Sequence, residues 1–158
     1  MRTFILPTTI CMLLLTGVET TGSQGCFTTP KVAFNAYSST GGNYGADETI
    51  IFPVVLLNEG GGYNESTGIF TAPVAGMYQF SLQICNARSY YMTAAIVHEN
   101  TRIASTTIRD MASTCTSTMV PAKIETGDQV YVMSTYATNV MFSNINRWPS
   151  FTGLLSSV

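Results

Sequence analysis

The chain has 158 residues, of which 10% are charged, and a formal net charge of −2 at pH 7. Ordinary globular proteins carry about 25% charged residues, so Ser, Thr, Asn, Gly and Tyr must cover most of this surface, and weak repulsion between copies favours self-association. The balance excludes long-range electrostatic attraction to nucleic acid or to an anionic membrane.

Arg2, a mostly apolar stretch from Phe4 to Leu15, and then small and polar residues predict a secretory signal peptide over residues 1–22. The stretch falls short of the about twenty residues that a membrane-spanning helix needs. Small residues place the cleavage after Gly22 or after Gly25. Residues 23–30 then form a short N-terminal segment, and residues 31–158 have the length of one domain. No segment carries sustained helical periodicity. Strands are predicted at Val32–Tyr37, Thr49–Leu57, Gly68–Ala72, Gly76–Ile84, Thr93–His98, Arg102–Ile108, Thr116–Val120, Gln129–Tyr136, Val140–Ile145 and Phe151–Leu155. The clearest is Gly76–Ile84, where Tyr78, Phe80, Leu82 and Ile84 alternate with Gln79, Ser81 and Gln83. Glu99-Asn100 reads as a tight hairpin turn, with Asn100 as the residue that tolerates positive φ. Many short strands with frequent turn signals indicate a sandwich or barrel. Phe34, Phe52, Tyr63, Phe70, Tyr78, Phe80 and Phe151 supply its core, and each tyrosine there needs a partner for its hydroxyl.

Phe52-Pro-Val-Val-Leu-Leu-Asn58 is followed by Tyr63-Asn-Glu-Ser-Thr67-Gly68-Ile-Phe70-Thr-Ala-Pro73-Val-Ala-Gly76-Met-Tyr78-Gln-Phe80. With Val32-Ala33-Phe34 upstream, Gly127-Asp128-Gln-Val130 downstream and the closing Ser150-Phe151-Thr-Gly153-Leu-Leu155, this order resembles the C1q domain over roughly residues 31 to 155. The resemblance implies an all-β, ten-stranded jelly-roll sandwich of the C1q and tumour necrosis factor type, assembled as a homotrimer. Two departures stand out. The short segment ahead of Lys31 leaves no room for a collagen stalk of Gly-x-y triplets, which argues against recruitment of complement proteases through such a stem. The hairpin carries Glu99-Asn100 where the family commonly has Asn-Gly.

No catalytic constellation emerges, and the chain is not expected to be an enzyme. His98 is the only histidine; it flanks a turn, and no nucleophile-elbow motif surrounds any serine. Asp47 and Glu48 are adjacent and face opposite ways on an extended chain. Zinc spacing is absent. Some members of the family hold calcium between subunits through carboxylates and carbonyls; the candidate ligands here are Asp47, Asp110 and Asp128, although an Asp placed as in Gly127-Asp128 more often serves as a turn residue. No other cofactor is implied.

Loops carry function in a sandwich. Asn86-Ala-Arg88-Ser-Tyr90-Tyr91 sets a cation beside two aromatics, and Asn146-Arg147-Trp148 is a second such cluster with the only tryptophan. Both suit stacking on sugar rings and pairing with a carboxylate such as that of sialic acid; the more ordinary role for each is packing at the trimer contact or covering an end of the sandwich. Cys11 leaves with the signal peptide. Cys85 and Cys115 lie at strand ends in an oxidising compartment, where a bridge between them is expected to contribute about 2–4 kcal/mol, with two separate thiols as the alternative. Cys26 is then odd, free or linking subunits. Asn64-Glu65-Ser66 is the only glycosylation sequon and lies in a predicted turn. Two functional classes remain. One is a secreted, lectin-like recognition molecule of innate immunity that binds microbial or other carbohydrate surfaces multivalently. The other is a trimeric extracellular ligand for a cell-surface receptor, or a component of an extracellular matrix or adhesive secretion.

Overall fold

In a half-buried strand every second side chain faces the core, and in Gly76–Cys85 the inward set is Tyr78, Phe80, Leu82 and Ile84, each fully buried. The computed structural model describes residues 30–158; the signal peptide, Cys11 and Cys26 lie outside the described residues. These residues form β1 Ala33–Tyr37, β2 Gly42–Tyr44, β3 Val54–Glu59, β4 Tyr63–Asn64, β5 Ile69–Thr71, β6 Gly76–Cys85, β7 Tyr91–His98, β8 Thr101–Arg109, β9 Cys115–Ile124, β10 Gln129–Ser134, β11 Asn139–Met141 and β12 Ser150–Ser157. They make a jelly-roll sandwich. One sheet has five strands in the order β3-β1-β12-β6-β9, and the other has seven, β2-β11-β7-β10-β5-β4 with β8 paired to β7.

Ten of these strands answer to predicted ones, with shifted ends, and β2 and β4 are additional. Gly42-Asn-Tyr44 is too short to show alternation and is extended because β11 pairs with it. The predicted strand Thr49–Leu57 is divided. Thr49 bridges Met133 in the seven-stranded sheet, whereas Val54 pairs with Tyr37 in the five-stranded one. The chain changes sheets at Phe52-Pro53, where proline has no N–H for a ladder. Conversely, β9 runs through Pro121 to Ile124, which is tolerated because β9 is an edge strand.

All seven predicted core aromatics are buried between the sheets. Phe34 is their centre, stacked on Tyr63 at 4.9 Å and Phe70 at 5.0 Å and edge-on to Phe151 at 5.0 Å. The Tyr78 hydroxyl donates to Val74 O at 2.8 Å. The Tyr63 hydroxyl donates to Phe52 O at 3.1 Å and accepts from Phe52 N at 3.3 Å. Burial pushes the Tyr63 phenol up to about 12, so it stays protonated as that donor. Gly68, at φ +74°, closes the turn begun by Asn64, which only glycine does without strain.

The Glu99-Asn100 hairpin forms with a correction. Positive φ falls on Glu99, at 53°, and not on Asn100. Tertiary bonds override local preference there: Glu99 N donates to Gln129 O at 2.9 Å, Glu99 Oε1 accepts from Gln129 N at 2.7 Å, and Tyr131 Oη donates to Glu99 O at 3.3 Å. Cys85 and Cys115 are directly opposite in the β6–β9 register and are joined by a disulfide, with Cα atoms 4.0 Å apart.

Candidate functional site

The strand registers gather Tyr37, Cys85, Tyr91, Arg109, Cys115 and Ser150 at one end of the sandwich. Val32 and Ser157 lie toward the other end, by Leu155 and Met77. The loop from Asn86 to Tyr90 crosses between the sheets at the first end and is built on Asn86, which is fully buried. Its Nδ2 is shared among Ala87 O at 2.9 Å, Asp110 O at 3.1 Å and Tyr90 O at 3.2 Å, while Oδ1 accepts from Thr114 N at 3.0 Å. One amide thus satisfies backbone groups of two loops that would otherwise be buried without partners. Ser89 takes φ 66° and donates its N–H to Asp110 O at 2.9 Å.

The predicted ligand residues share this end but differ in availability. Arg88 is exposed and Tyr90 is 55% exposed. Tyr91 is engaged within the protein: the Arg109 guanidinium lies 4.7 Å over its ring, Arg109 Nη1 donates to its hydroxyl at 3.2 Å, and the Tyr136 ring is 5.2 Å away. Trp148 stacks on Tyr37 at 4.4 Å and 12°, and its carbonyl accepts from Gln83 Nε2 at 2.8 Å. Arg147 is half-buried, with its backbone paired to Asn144. Sequence reading gave Arg109 no role. Counting back from the hairpin puts Ile108 opposite Tyr91, but an extra residue, Ile103, bulges between the pairs Ile96–Ala104 and Val97–Arg102 and brings Arg109 there instead.

The three candidate calcium ligands stand in separate contacts. Asp47 meets Arg102 Nη2 at 3.5 Å with both side chains exposed, and Glu48 turns away to accept from Gly45 N at 2.8 Å. Asp110 accepts from Ala112 N at 3.2 Å and from Thr114 Oγ1 at 3.4 Å. Asp128 accepts from Glu125 N at 3.0 Å and meets His98 Nε2 at 2.8 Å. His98 therefore has a carboxylate partner that its place beside a turn did not suggest. The hydrogen bond with His98, then that from Glu125 N, holds the Asp128 carboxyl below its usual range. Among the described residues, no three of His, Cys, Asp and Glu come together as a metal site. Asn64 is exposed, and its Oδ1 accepts from Ser66 N at 2.9 Å and Thr67 N at 3.3 Å.

The family model described as the C1q domain matches residues 33–156. A heavy metal-binding protein, HIP, of Mytilus edulis is 31% identical over 116 residues, 72% of this chain and 54% of that protein. A complement C1q tumor necrosis factor-related protein 2 of Mus musculus is 35% identical over 92 residues, 56% of this chain and 30% of that protein. The chain therefore matches about half or less of the length of these relatives. The globular domain of zebrafish complement 1qA superposes with a TM-score of 0.62 at 16% identity, over 80% of this chain and 97% of that one, which shows a shared fold.

Proposed function

This chain belongs to the C1q domain family, and we propose that it works as a secreted, non-catalytic, homotrimeric recognition protein that binds glycan-bearing or microbial surfaces multivalently. The observation that carries this reading is the gathering of the Asn86–Tyr90 and Asn144–Trp148 loops at the end of the sandwich away from Val32 and Ser157. In a threefold assembly with parallel axes, three copies of that loop end face one direction. A shallow site built from a few side chains such as Arg88 and Tyr90 holds a sugar weakly, but three on one rigid head engage a repetitive surface together and gain by effective concentration.

The assembly itself is supported by the outer face of the five-stranded sheet. There Leu57, Met77, Met119 and Leu154 are each at least 40% exposed, among neutral polar neighbours such as Asn35 and Thr152. Apolar area of this kind leaves water when it packs against a second copy. The disulfide is in keeping with an oxidising, extracellular setting, and no described helix is long and apolar enough to cross a membrane.

The test is sedimentation and cell agglutination of the wild type beside Leu154→Asp. The wild type is expected to sediment at three times the chain mass and to agglutinate cells, and the variant to stay folded as a monomer without agglutinating. A wild-type monomer that binds the same cells equally well would overturn both the assembly and the multivalent mechanism.

A further inference from the structure

Along β10, strand alternation turns Gln129, Tyr131 and Met133 away from the core. They floor a trough of about 390 Å³ on the outer face of the seven-stranded sheet, with Asp47, Glu99 and Asn100 at its margins. That volume falls within the range of roughly 300–1,000 Å³ usual for small-molecule sites. The Tyr131 ring is held in place, because its hydroxyl is bound to Glu99 O at 3.3 Å.

The polar groups around the trough are only half used. Glu99 Oε1 is taken by Gln129 N and Asp47 Oδ1 meets Arg102. Among the described residues, Asp47 Oδ2, Glu99 Oε2 and the side-chain amides of Asn100 and Gln129 have no hydrogen-bond partner. Two carboxylate acceptors therefore stand with two amides, which both donate and accept, around a tyrosine face. Vicinal hydroxyls match this set, since each donates to a carboxylate while accepting from an amide N–H, and the C–H face of a pyranose packs on an aromatic ring. Arg102 offsets the charge of Asp47, and the Glu99 carboxylate, which has no cation partner among the described residues, is the group that repels an anionic ligand.

We propose that this trough is a binding site for neutral hexose residues of a glycan, separate from the loop end and selective against acidic sugars. The proposal rests on the reading of the protein as a glycan binder and assigns it a further site with a defined ligand class. The test is titration of the isotope-labelled protein with methyl mannoside, methyl galactoside and methyl glucuronide at millimolar concentration, followed by amide chemical shifts. At least one of the two neutral glycosides is expected to shift amides of Glu99–Asn100 and Gln129–Met133. Asp47→Asn and Asn100→Ala are each expected to weaken that binding about fivefold, the cost of one hydrogen bond, with the remaining spectrum unchanged. Shifts confined to residues 86–91 and 147–148, a preference for the glucuronide, or variants that bind like wild type would overturn the trough while leaving glycan binding standing. No shift with any of the three sugars would also overturn it, and the agglutination assay decides the general reading independently.

Discussion

At Gly153 the β12 backbone passes under the Phe34 ring so closely that an added Cβ would overlap its carbons. Phe34 has nowhere to retreat, wedged among Tyr63, Phe70 and Phe151. Gly153→Ala is expected to destabilise the fold by about 1–3 kcal/mol as an overpacked core, read from the urea midpoint; an unchanged midpoint would contradict this packing. Asp128 makes a prediction about pH. Its folded carboxyl lies below the ordinary value, so its contribution is present above the unfolded pKa of about 4 and is lost as pH falls through the lower folded one. Asp128→Asn is expected to flatten the acid limb of stability against pH below about pH 4. Denaturation curves taken at stepped pH measure it.

Among the elements, β6 and β9 are joined both by their ladder and by the Cys85–Cys115 bridge, which closes a loop with a sequence separation of 30. Replacing both cysteines by serine is expected to cost about 2–4 kcal/mol, measured by thermal or urea unfolding. Non-reducing peptide maps are expected to recover the two half-cystines as one linked fragment. The turn from β4 to β5 carries Asn64 with only its Oδ1 committed, which leaves Nδ2 open to glycosylation without loss of the turn's own bonds. Protein from eukaryotic cells is expected to lose mass on glycosidase treatment, and Asn64→Gln to show no such loss. The longer strands were legible in the sequence because their alternation is local, as in Gly76–Ile84, and so was the aromatic core, whose seven members all point inward. Three-residue β2, the change of sheet at Phe52-Pro53 and the strained Glu99 were not, because each is dictated by a partner distant in sequence. The same limit applies at the loop end. Local residue order singled out Arg88, Tyr90 and Tyr91 in one loop and Arg147 and Trp148 in another as candidate ligand residues, but Tyr37 and Arg109, which pack on Trp148 and Tyr91, reach them only through register.

For the molecule as a whole, the outer face of the five-stranded sheet carries charge only near its margins, at Glu59 and at Lys123, which already pairs with Glu125 at 3.3 Å. An assembly through that face is held by apolar contact and not by ion pairs, and salt screens only the latter. Its sedimentation is therefore expected to be unchanged between about 0.05 M and 1 M sodium chloride, across which the screening length falls from more than about 10 Å to about 3 Å. Dissociation by salt would point to a charged interface elsewhere. The placement of Ser157 at the end of the sandwich away from the Asn86–Tyr90 loop has a practical corollary. A biosensor chip loaded through a tag carried beyond Ser157 holds every head with that loop toward the flow, so capture chemistry behind β12 and analyte contact at the tip do not compete.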